Sequence, residues 1–168
     1  MRRVFSLGAI IAAFATAAIP LQAKTIRCPQ RNSLFRVTIP DSWTFSWDRD
    51  GSLTCMPRNQ SKYVSVVPSE NVRSKGELGA QLTKTARDAA RNARFKDLRL
   101  GAIKESTRSG MSLMSITAEG TTRGRQMVFT LVAFAPKKDN YFTLLALEPV
   151  GARDKEVSAI INSVSTLR

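Results

Sequence analysis

The chain contains no histidine. That removes serine–histidine and cysteine–histidine nucleophile pairs, imidazole metal ligands, and the side chain that ordinarily titrates near neutral pH. Cysteine is scarce, with only Cys28 and Cys55. Two thiols without an imidazole would leave a zinc site half filled, so no metal is expected. Acidic side chains number 13 against 26 Lys and Arg, for a formal charge of +13. There is no Gly-rich phosphate loop, no Gly-x-Ser-x-Gly elbow and no paired-carboxylate constellation. A hydrolase built on Asp, Glu, Ser or Lys survives in principle, but no motif supports it, and no cofactor is expected. Beyond the N-terminus, no apolar run reaches the roughly 18 residues needed to span a bilayer.

What is present begins with an address. Met1-Arg2-Arg3 is a cationic start, Val4 to Ala18 carries no charge, and Ile19-Pro20-Leu21-Gln22-Ala23 ends the segment on a helix breaker and a small residue. This is the three-part layout of a secretory signal peptide, with cleavage expected after Ala23. A retained signal anchor fits less well, because the apolar run is short. Residues 1–23 are therefore read as a signal peptide and 24–168 as a single exported domain, periplasmic or secreted and not transmembrane. No lipid-anchor cysteine precedes the domain, since Cys28 follows Thr25-Ile26-Arg27.

Beyond Lys24 the pattern is first that of strands. Phe35, Val37 and Ile39 alternate; Pro40-Asp41-Ser42 turns; Trp43, Phe45 and Trp47 alternate; and Asp50-Gly51 signals a hairpin. Ser52 to Met56 and Lys62 to Val67 extend what reads as one antiparallel meander. From Ser74 to Arg94 the period changes. Leu78, Leu82, Ala86, Ala89 and Ala93 share a helical stripe, and Ser74 with Glu77 forms a capping-box signature. Phe95 to Lys104, Met111 to Glu119, Arg125 to Ala135 and Tyr141 to Leu147 read as further strands. In the third of these, Met127, Phe129, Leu131 and Ala133 face one way and Val128, Val132 and Phe134 the other. Asp154 is an N-cap for a closing helix carrying Val157, Ile160, Ile161, Val164 and Leu167. Strands apolar on both faces must be covered on both faces. The expectation is an α+β domain, an antiparallel β-sheet sandwiched between helices.

In an oxidising compartment the even pair Cys28 and Cys55 reads as a disulfide, worth about 3–4 kcal/mol by chain entropy, with two separate thiols as the alternative. Trp43, Phe45 and Trp47 would make a stacking platform for a sugar or base, but their alternation with Thr44 and Ser46 favours core packing. Asp48, Asp50 and Asn59 lack the spacing of a calcium loop and read as turn residues. Arg123-Gly124-Arg125 and Lys137-Lys138 read as solvated hairpin tips. The sharpest charged feature is Lys84, Arg87, Arg91 and Arg94, with Lys96 and Arg99 nearby and only Asp88 interrupting. It is either a solvated helix face or a contact surface for an anionic partner.

Phe35-Arg36-Val37-Thr38-Ile39-Pro40-Asp41-Ser42-Trp43 resembles the strand, proline, small turn and tryptophan that open many PsbP-like domains. Glu156 to Val164 resembles the Ile-Ile-x-Ser-Val ending common in that superfamily, which includes DcrB-type envelope proteins. The resemblance runs from Leu34 to Leu167. It implies an α-β-α sandwich and a non-enzymatic role in binding or stabilising other proteins. No ligand residue carries over: the histidine ligands of some metal-binding relatives have no counterpart here, and the lipid anchor of DcrB-type proteins is missing.

The functional expectation is therefore an exported accessory module that docks on an envelope protein or complex. Direct binding of anionic lipid or lipopolysaccharide through the basic helix face is the alternative. Nucleic acid is not an expected partner, since no recognition module accompanies the charge.

Overall fold

Alternating β-branched and aromatic residues set most of the architecture. The computed structural model describes residues 22–69, 72, 74–151 and 155–167. The segment assigned to the signal peptide, apart from Gln22 and Ala23, lies outside the described residues, as does the expected N-cap Asp154.

Strand β1 (Ala23–Cys28) pairs antiparallel with β2 (Phe35–Pro40). The short β11 (Ser165–Thr166) adds to the other edge of β2, giving a three-stranded sheet β1-β2-β11. The larger sheet is built from β3 (Trp43–Trp47), β4 (Leu53–Pro57), β5 (Tyr63–Pro68), β6 (Lys96–Leu100), β7 (Lys104–Arg108), β8 (Met111–Thr122), β9 (Arg125–Lys137) and β10 (Asn140–Pro149). Its order is β3-β4-β5-β10-β9-β8-β6, with β7 also pairing β8. Every pairing in both sheets is antiparallel.

Helix α1 (Lys75–Asn92) starts where the capping signature places it. The Ser74 hydroxyl accepts from the Glu77 N–H at 3.3 Å. Its buried stripe is Leu78, Leu82, Ala86 and Ala90, which lies on Met114, Ile116 and Ala118 of β8 and Phe129, Leu131 and Ala133 of β9. The stripe passes through Ala90 rather than the expected Ala89, and Ala93 is exposed. Helix α2 (Lys155–Ser163) buries Val157 and Ile160.

The opposite face of β9 and β10 carries Val132, Phe134, Phe142 and Leu144. Phe35 from β2 meets Phe134 at 5.0 Å and Phe142 at 4.8 Å between ring centroids, both edge to face. Such contacts add about 0.5–1.5 kcal/mol to the burial itself.

Three expectations need correction. Helices do not sandwich the sheet: α1 covers one face, whereas β1-β2-β11 covers the other together with α2. Strand β2 does not belong to the meander. Its apolar side chains Phe35, Val37 and Ile39 are fully buried against the long sheet, so it stacks on that sheet rather than pairing in it. Phe95 to Lys104 is not one strand but β6 and the start of β7. The break falls at Gly101, whose N–H bonds to the Thr117 carbonyl at 2.8 Å and where a Cβ would lie 3.0 Å from that oxygen.

Candidate anionic-partner surface

Burying Leu78, Leu82, Ala86 and Ala90 fixes the rotation of α1, and that rotation turns the helix's cations outward. Lys84, Arg87 and Arg91 are exposed along the side opposite the buried stripe. Arg91 Nη1 lies 3.6 Å from Asp88 Oδ1, an exposed pair worth little in water. Among the described residues, no carboxylate pairs with Lys84, Arg87, Arg94, Lys96 or Arg123.

Arg94 stands apart from the other three, because it lies beyond the last helical turn. The Phe95 N–H reaches the Ala90 carbonyl at 2.9 Å and the Arg94 N–H reaches the Arg91 carbonyl at 3.0 Å. These are the two bonds of a Schellman motif, and Arg94 occupies its left-handed position with φ 54°. Glycine is the usual residue there, and a side chain at such a φ costs roughly 1–2 kcal/mol. Thr122 Oγ1 donates to the Ala93 carbonyl at 2.6 Å, tying the helix end to β8.

The turn between β8 and β9 repeats the choice. Arg123 and Gly124 have φ 49° and 73°, the pattern of a type I′ hairpin, where Asn or Asp normally precedes Gly. Arg94, Lys96 and Arg123 line a cavity of about 700 Å³, with Asn92, Ala93, Thr121, Thr122 and Gly124 completing its wall. Gly120 lets β6 approach: a Cβ there would meet the Lys96 carbonyl and the Phe95 ring at 2.8 Å. A second cavity, of about 610 Å³, shares Ala93, Thr122 and Arg123 with the first and adds Arg125, Tyr63 and Met127.

Of the four cations singled out from sequence, three share the helix face and Arg94 alone lines the cavity. Arg123 and Arg125, read as hairpin tips, belong to the same basic region. Their left-handed or turn positions were visible as Arg-Gly-Arg. Their meeting with Arg94 depends on the β6–β8 pairing, in which Lys96 lies opposite Thr121.

Cys28 and Cys55 are both buried and unbonded, which corrects the disulfide expectation. They share one apolar cluster, and the Cys28 thiol contacts the Ile26 carbonyl at 3.8 Å. Burial pushes both thiols up to about 12, Cys55 adding to the effect at Cys28 and Lys24 opposing it at Cys55. Both therefore stay protonated, packing as small apolar groups.

The aromatic triplet divides. Trp43 is buried, and its Nε1–H points at Glu156 Oε2 at 3.4 Å. Lys62 donates to the same oxygen at 2.8 Å and lies 5.6 Å over the Trp43 ring. The Lys62 hydrogen bond is the main cause that holds the Glu156 carboxyl below its ordinary range, with the Trp43 bond assisting and partial burial opposing. Trp47 is half-buried, but Phe45 is 44% exposed beneath the Lys24 ammonium at 5.7 Å. Asp50 accepts from the Ser52 N–H at 2.9 Å and Asn59 from the Ser61 N–H at 3.1 Å, so both act in turns. Among the described residues, no group of three His, Cys, Asp or Glu is placed to hold a metal, and no helix is long and apolar enough to cross a membrane.

No protein-family model and no curated protein matches the chain in sequence. Its structure is similar to a number of solved ones. The solution structure of cyanobacterial PsbP (CyanoP) from Synechocystis gives a TM-score of 0.59 at 12% identity, over 96% of this chain and 99% of that one. LpqN of Mycobacterium tuberculosis, involved in cell envelope biogenesis, gives 0.54 at 11% identity, over 88% and 91%. A crystal structure from Bacteroides thetaiotaomicron gives 0.59 at 12% identity over 86% of this chain. The chain spans about half the length of that last protein, 48%. The fold is therefore PsbP-like, as the short sequence motifs implied.

Proposed function

We propose that the protein is a non-enzymatic accessory module of the cell envelope that docks on an acidic envelope protein through the outer face of α1. The observation that carries this reading is the stripe of Lys84, Arg87 and Arg91, exposed on a helix whose other side is packed against the sheet. A charge array held on a rigid element and not neutralised internally steers an oppositely charged partner. Fold similarity to LpqN, a protein involved in cell envelope biogenesis, supports the setting. The leader-like residues 1–23 support export to the periplasm or beyond.

Charge reversal in Arg87→Glu/Arg91→Glu should leave folding intact and weaken partner recovery from crosslinked envelopes, most at low salt. Unchanged recovery at low salt rejects the reading. A second reading, direct binding of anionic envelope lipid or lipopolysaccharide, is favoured by the cation-lined cavities at the end of the same helix. It calls for cosedimentation with anionic vesicles that fades as salt rises.

A further inference from the structure

Two arginines occupy backbone positions that ordinarily go to Gly, Asn or Asp, and both line one cavity. Arg94 takes the left-handed place of a helix-ending motif, and Arg123 takes the first place of a type I′ turn. A third unusual left-handed residue, Gln60 with φ 51°, lines the adjoining cavity that Arg123 also borders. Among the described residues, the other left-handed non-glycine positions are Asn32, Asp97, Ser109 and Asp139, of types that suit turns. Left-handed strain gathered around a cavity is a pointer to function.

The two cavities adjoin through Ala93, Thr122 and Arg123. Around the first stand Arg94, Lys96 and Arg123. The carbonyls at the end of α1 would repel an anion, but the Schellman bonds and the Thr122 hydroxyl occupy the carbonyls of Ala90, Arg91 and Ala93. The side-chain cations then dominate. The second cavity has a mixed wall, in which Tyr63, Met127, Leu147 and Pro149 form an apolar stretch beside the polar Gln60, Ser61 and Lys62 and the cations Arg123 and Arg125. Arg123 stands between the two halves.

We propose that this double cleft binds a phosphate-bearing amphiphile, its phosphate among Arg94, Lys96 and Arg123 and its apolar chain against Met127 and Leu147. The proposal rests on the second reading above and relocates it from the outer helix face to the cleft. Guanidinium groups suit phosphate oxygens through paired N–H donors, and a chain of several carbons can lie along the apolar stretch of Tyr63, Met127, Leu147 and Pro149.

The test is an amide NMR titration of the purified protein with three probes: octyl phosphate below its micelle concentration, inorganic phosphate and octyl glucoside. Octyl phosphate should shift amides at 92–96, 121–125, 127 and 147. Inorganic phosphate should shift only the first two groups and bind at least about tenfold more weakly, as burial of a few CH₂ groups implies. Octyl glucoside should not compete. Arg94→Asn/Arg123→Asn suits both left-handed positions, so it keeps the fold while removing two cations. It should weaken octyl phosphate by about tenfold or more without lowering the melting temperature.

Equal affinity in that variant overturns the site, and equal binding of inorganic and octyl phosphate overturns the amphiphile. Octyl glucoside binding as well as octyl phosphate overturns the anionic requirement. Arg87→Glu/Arg91→Glu should still bind octyl phosphate. Loss there with retention in Arg94→Asn/Arg123→Asn moves binding back to the helix face and refutes the cleft. No envelope protein takes part, so failure of the docking reading leaves this outcome unaffected.

Discussion

The two faces of the long sheet are covered by different means, and the contrast separates a layer of bulky, inwardly paired side chains from one that presents charge to solvent. On one face, β2 and α2 bring the side chains Phe35, Val37, Ile39 and Ile160 onto Phe134, Phe142 and Leu144. Polar groups at its margin are tied inward, as Lys62 and Trp43 are to Glu156. On the other face, α1 contributes smaller side chains, Ala86 and Ala90 beside Leu78 and Leu82, and its outer cations meet little carboxylate. Bulk and internal pairing mark a layer that holds the fold together. A close-lying helix with uncompensated charge outside marks a layer that presents a surface.

The largest blow to this contrast comes from the bulky layer. Phe35 is fully buried and joins two aromatic contacts, so Phe35→Ala should cost about 3–5 kcal/mol, read from urea unfolding. A loss below about 1 kcal/mol would show that this layer does not carry the fold. In the small-residue layer the sensitive change is enlargement. Ala86 is fully buried under α1, so Ala86→Leu should overpack and destabilise by about 1–3 kcal/mol, read the same way. A neutral result would show that the helix can lift from the sheet without cost.

A smaller effect tests the inward pairing. The Lys62 hydrogen bond is the main cause that holds the folded Glu156 carboxyl below the ordinary carboxylate range. Its contribution is therefore present above the ordinary carboxylate range and disappears as pH falls through the folded value. Glu156→Gln should cost about 1 kcal/mol at pH 7, since the side chain is 30% exposed, and the deficit should shrink as pH falls below the ordinary carboxylate range. A pH-independent deficit would assign the loss to packing alone. Smallest of all is the stability change for Arg87→Glu/Arg91→Glu, within about 0.5 kcal/mol, because these side chains lie on the exposed helix face.

Much of the architecture is legible along the chain. The Ser74 cap, the strand alternation of Phe129, Leu131 and Ala133 against Val132 and Phe134, and the Arg123-Gly124 hairpin follow from local pattern. What escapes is set by distant partners. Phe35, Val37 and Ile39 alternate whether β2 pairs within the meander or stacks on it, and only β1 and β11 decide between the two. Trp43 and Phe45 share a strand face, but the small sheet covers Trp43 and leaves Phe45 at the rim, which periodicity cannot express. The two thiols share a cluster without bonding, and an even cysteine count does not set that geometry. In the basic region, Lys84, Arg87 and Arg91 are readable as one helix stripe. Arg94 and Arg123 lie far apart in sequence and meet only because β6 pairs with β8.

Crosslinking of the native envelope with an amine- and carboxylate-reactive reagent, resolved to residues by mass spectrometry, tests recognition through the α1 side most directly. The account predicts that Lys84 and Lys96 dominate the links to acidic residues of a partner and that Arg87→Glu/Arg91→Glu abolishes them. Links concentrated at Lys24 and Lys155, on the side of β1 and α2 and indifferent to that charge reversal, would contradict it.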